Sequence, residues 1–68
     1  MSFVIVFDIP RWQSTEKVRI NRKLHKIGAE RVQDSFWRHD DLKALIQLAV
    51  WIRRIGGKAE ILEEKFLF

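Results

Sequence analysis

Phe3-Val4-Ile5-Val6-Phe7-Asp8-Ile9-Pro10 is an apolar run that ends in one carboxylate and a proline. Side chains alternate along a strand, so Phe3, Ile5 and Phe7 share one face while Val4, Val6 and Asp8 share the other. Both faces are apolar, which is the pattern of a central strand covered on each side. Pro10 has no N–H to give a central ladder, so the strand must stop about here. Asp8 falls at the rim where that coverage ends, and two readings of it stand side by side. It caps or kinks the strand exit, or it is an acidic metal ligand or general base at the edge of a sheet.

Beyond Pro10, Arg11-Trp12-Gln13 reads as a loop, with Ser14 as the N-cap of a helix from Thr15 to Ile27 that Gly28 closes. At a period of 3.6 residues, Ile20, Leu24 and Ile27 face a core. Arg19, Arg22, Lys23 and Lys26 form an arc on the far side that no acidic residue is expected to relieve. Ala29 to His39 carries Val32, Phe36 and Trp37 among polar residues and predicts a strand or a bent pair, kinked near Asp34-Ser35. From Asp40-Asp41 the pattern turns helical, with an apolar stripe of Leu42, Leu45, Ile46, Ala49 and Ile52. A second apolar row, Ala44, Leu48, Trp51 and Ile55, lies beside it, so this helix contacts more than its own sheet or exposes Trp51. Gly56-Gly57 ends it, and Lys58 to Leu62 alternates as a last strand. The order defines an α+β fold: a ferredoxin-like antiparallel sheet with two helices on one face.

The 68 residues are read as a single domain over 1–68, and such a small chain buries only about 60% of its unfolded surface. It has no cysteine to staple a core, yet is 47% hydrophobic with three Trp and five Phe. Surplus apolar surface of this kind predicts a homodimer packed sheet to sheet, with Phe66, Leu67 and Phe68 in its interface. No run is long enough to span a membrane and no signal segment opens the chain, so a soluble, cytoplasmic protein is expected. Thirteen Lys and Arg against nine Asp and Glu give a formal charge of +4 and favour an anionic partner. Arg11 with Arg19, Arg22, Lys23 and Lys26 are the expected nucleic-acid contacts. There is no Gly-rich phosphate loop, zinc motif or nucleophile elbow. His39 precedes two helix-start acids, His25 is read as solvated, and Ser14 and Ser35 lack an activating base.

Val4-Ile5-Val6-Phe7-Asp8-Ile9, the basic helix ending in Gly28, and Glu30-Arg31-Val32-Gln33-Asp34-Ser35-Phe36-Trp37 together resemble the small CRISPR-associated endoribonuclease family. That family partners the CRISPR integrase in spacer acquisition. The C-terminal domain of the phenylacetate-type repressors is similar too, through Phe-Asp-Ile-Pro and Val-Gln-x-Ser-x-Trp. The resemblance implies a homodimer in which Asp8 of each subunit binds a shared divalent ion, magnesium or manganese, one site per dimer, for hydrolysis of RNA or DNA. It also implies that Ser35 and Phe36 line the cleft near Asp8, and that the dimer serves the integrase as a DNA-holding scaffold. Where the family commonly has further acids after the strand-end Asp, this chain has Pro10-Arg11-Trp12. The alternatives are a non-catalytic nucleic-acid-binding or assembly module related to the repressor domain, and a toxin-like ribonuclease.

Overall fold

The computed structural model describes residues 1–65. The apolar opening forms β1 (Ser2–Asp8), and a 3₁₀ turn (Arg11–Gln13) leads directly into α1 (Ser14–Lys26). A tight turn then separates β2 (Glu30–Gln33) from β3 (Phe36–His39), and α2 (Leu42–Arg54) and β4 (Lys58–Glu64) follow. The four strands lie in the order β2-β3-β1-β4, each pair antiparallel. That arrangement is the ferredoxin-like one expected from the sequence, with β1 in the interior between β3 and β4.

Register decides which side chains meet. Ile5 stands between Trp37 of β3 and Ile61 of β4, and Phe7 opposite Ala59. These odd-numbered β1 positions join Ile20 and Leu24 of α1 and Leu45, Leu48 and Ile52 of α2 in one core cluster. Both helices therefore cover the same sheet face. Ile5, Ile20, Leu24, Leu45 and Ile52 are completely excluded from water, and burying such side chains stabilises by about 1.5–3 kcal/mol each. The other face carries Val4, Val6 and Asp8 with their register partners; no helix of the described chain covers it, and Val6 and Asp8 are exposed there while Val4 is buried.

Local chemistry explains most element ends. Gly28 takes φ +83°, the left-handed conformation that commonly follows a helix. Asp41 caps α2, its Oδ1 accepting the Ala44 N–H at 3.2 Å. The turn between β2 and β3 falls at Asp34-Ser35, where Ser35 adopts φ +62°. Three expectations need correction. Ser14 is not a cap, because the 3₁₀ turn runs straight into α1 and leaves Gln13 at the cap position without a side-chain bond. The core face of α2 is Leu45, Leu48 and Ile52, while Leu42 and Ile46 are exposed, so the helix is rotated from the expected stripe toward the second apolar row. The last strand continues to Glu64 instead of ending at Leu62. Phe66, Leu67 and Phe68, the expected interface residues, lie outside the described residues.

The end of the sheet that bears Asp8 is pinned by the loop after α2. Gln13 Nε2 donates to the Ile55 carbonyl at 3.1 Å, and the Gly57 N–H donates to the Ile52 carbonyl at 2.9 Å. A Cβ on Gly57 would fall 2.6 Å from the Asp8 carbonyl oxygen and 2.7 Å from Ile52 Cγ2. Backbone cannot yield as a flexible side chain does, so Gly57→Ala should destabilise by about 1–3 kcal/mol. Urea unfolding measures this, and an unchanged midpoint would show that the α2–β4 loop is free to move away from β1.

Candidate nucleic-acid interface

The cationic arc forms because Arg19, Arg22, Lys23 and Lys26 project from α1 away from its buried pair, Ile20 and Leu24. They do not stand on an isolated helix face. Arg19, Arg22, Lys23 and Lys26 line a furrow of about 320 Å³ together with Trp51 of α2. A second hollow of about 230 Å³ continues along the helix pair past Ala44, Gln47 and Leu48, sharing Lys23 and Trp51 with the first. The long stems of Arg and Lys supply apolar walls while their charged ends stay in water.

One charge in the arc is relieved, contrary to the sequence reading. Glu16 lies 3.5 Å from Arg19 through Oε1 and accepts the Trp51 indole N–H at 2.9 Å through Oε2. Arg22, Lys23 and Lys26 make no ion pair among the described residues. The Glu16–Arg19 contact was readable from its i,i+3 spacing. The Glu16–Trp51 bond joins residues 35 apart, and no local pattern announces it. Arg11 is exposed on the 3₁₀ turn and is not part of the furrow. His25 is exposed as expected, but it also packs edge to face on Trp37 with centroids 4.9 Å apart.

Asp8 occupies the open sheet face at the end of β1 and is exposed. Ser35 and Phe36 lie at the same end: the Ser35 carbonyl accepts the Phe7 N–H at 3.1 Å, and Phe36 pairs with Val6. The structure thus brings Asp8, Ser35 and Phe36 to one end of the sheet. The residue opposite Asp8 on β4 is Lys58, a cation. Among the described residues, no three His, Cys, Asp or Glu side chains gather into a metal-binding group. One exposed carboxylate opposite a lysine does not fit a magnesium or manganese ion, which needs several oxygen ligands.

The opposite end of the open face carries an ionic cluster. Arg38 forks onto Glu64, Nε to Oε1 at 2.9 Å and Nη2 to Oε2 at 2.8 Å, while Glu30 approaches Nη1 at 3.4 Å. Hydrogen bonding to Arg38 holds the Glu64 carboxyl below its ordinary range, and the same bonds push the guanidinium higher still. Between this cluster and Asp8 the face carries Val6 and Leu62, both exposed, and Phe36, half-buried, with the exposed carboxylate of Glu60 on β4 opposite Val6. No described helix is long and apolar enough to cross a membrane. No protein-family model matches the chain, and no curated protein matches it in sequence.

Proposed function

We propose that the chain is a nucleic-acid-binding protein of the CRISPR-associated endonuclease kind, which holds RNA or DNA phosphates on α1. The observation that carries this reading is the furrow whose rim holds Arg22, Lys23 and Lys26 without ion-pair partners among the described residues. Neighbouring cations repel each other, and phosphates relieve that repulsion while releasing their own counterions. The ferredoxin-like fold and the strand-end Asp8 support the family part of the proposal, including service to the integrase as a DNA-holding scaffold. Hydrolysis is proposed only for an assembly that adds a second carboxylate to Asp8. The pairing of Asp8 with Lys58 favours holding over cutting as the function of a single chain.

A second copy of the chain is the proposed cover for the open sheet face. On that face Val6 of the interior strand is 39% exposed and Leu62 of the edge strand β4 53% exposed, with Glu60 opposite Val6, the Arg38 cluster at one end and Asp8 at the other. Two such faces would bury their apolar centres against each other. Sedimentation equilibrium at micromolar concentration should report a dimer, and Leu62→Glu should report a monomer of unchanged fold by circular dichroism. A wild-type monomer, or a dimer indifferent to Leu62→Glu, would remove this interface.

Binding is tested by the salt dependence of affinity for a short fluorescent RNA and a DNA duplex. Arg22→Gln with Lys23→Gln should weaken both and reduce the slope of log K against log salt by about 1 per lost contact. Asp8→Asn should bind as the wild type does and lose whatever magnesium-dependent cutting the wild type shows. An unchanged slope in the double variant would return the arc to ordinary solvated surface, and cutting by Asp8→Asn at the wild-type rate would place hydrolysis elsewhere.

A further inference from the structure

Among the described residues Trp51 is the one aromatic ring lining the cationic furrow, and its surroundings state what it can offer a ligand. Its N–H is already satisfied by Glu16 Oε2 at 2.9 Å, which also fixes the ring relative to α1. An indole bonded in this way needs no polar partner from outside, so what remains for a ligand is the apolar ring itself. Around it stand Arg19, Arg22, Lys23 and Lys26, and Lys23 with Trp51 borders both hollows of the groove. The main hollow, about 320 Å³, reaches the lower end of the size range of small-ligand pockets, roughly 300 Å³.

An apolar floor beneath a cationic rim is complementary to one kind of anion: a flat ring carrying phosphate on either side. A duplex can reach the rim charges but not the ring, because its bases are already stacked on each other. An unpaired base has free faces, and stacking on an aromatic side chain tolerates any base. We propose that the furrow between α1 and α2 takes an unpaired base of a single-stranded nucleic acid, stacked on Trp51, with the flanking phosphates on Arg22, Lys23 and Lys26. This rests on the reading of α1 as a phosphate-binding helix and adds to it a preference for single strands.

The test compares four fluorescent probes: a thymidine 12-mer, a uridine 12-mer, an abasic 12-mer with the same phosphates and no bases, and a 12-base-pair duplex. Trp51→Leu should weaken the thymidine and uridine oligomers about tenfold, within the usual cost of losing one stacked base. It should leave the abasic oligomer and the duplex unchanged. Trp51→Phe, which keeps a ring and gives up the bond to Glu16, should retain most of the affinity and separates stacking from structural support. Should Trp51→Leu fail to fold, the intact furrow is read in Trp12→Leu, which removes the 75% exposed Trp12 and leaves as emitters Trp51 and Trp37, the latter buried out of a ligand's reach. The Trp51 part of that fluorescence should be quenched by base-bearing single strands and not by the abasic one. Equal loss on all four probes, no loss on any, or quenching by the abasic strand would overturn the stacking proposal alone. If Arg22→Gln with Lys23→Gln leaves the abasic strand's affinity untouched, the phosphate-binding reading itself falls. A difference between the thymidine and uridine responses assigns the site to DNA or to RNA.

Discussion

The burial of Ile5 and Phe7 in the middle of the sheet is the constraint on which the rest of the molecule depends. Because β1 lies between β3 and β4, its odd-numbered side chains stand in the middle of the covered face and join residues of both helices in one core. That assignment leaves nothing in the described chain for the even-numbered side. The same alternation that builds the core turns Val4, Val6 and Asp8 to the other face, where Val6 and Asp8 are exposed and Val4 is buried. The function proposed for the sheet and the stability of the sheet come from one strand.

The helices divide their surfaces in the same way. α1 gives Ile20 and Leu24 to the core and turns its cations outward, while α2 lends Trp51 to the furrow beside them. Glu16 links the two by accepting the indole N–H and lying near Arg19. A charged residue on the basic helix thus orders the groove without neutralising it, since Arg22, Lys23 and Lys26 remain without ion-pair partners among the described residues.

Much of the architecture was legible in the sequence because it is written in local signals. The two-sided apolar run, the stop at Pro10, the glycines after each helix and the turn at Asp34-Ser35 each act within a few residues, and together they define the strand and helix order. The face of α2 was not legible. Leu42, Ile46 and Leu48 are all apolar, and only tertiary packing places Leu48 in the core cluster and leaves Leu42 and Ile46 exposed. At the candidate site the basic arc could be read from its spacing, but the groove could not. It needs α1 and α2 side by side, and Glu16 bonded to a tryptophan 35 residues away. Asp8 was found at a strand end as expected, whereas its position opposite Lys58 depends on β4 register, which no short pattern encodes.

The central claim is that nucleic acid lies on the α1–α2 furrow. Amide and indole chemical-shift mapping with an unlabelled thymidine 12-mer tests it most directly. The account predicts shifts concentrated on Arg19 to Lys26 and on the Trp51 indole, with the amides of Val4, Val6 and Leu62 on the open sheet face unmoved. Shifts confined to the open face around Asp8 and Phe36, with α1 silent, would contradict it.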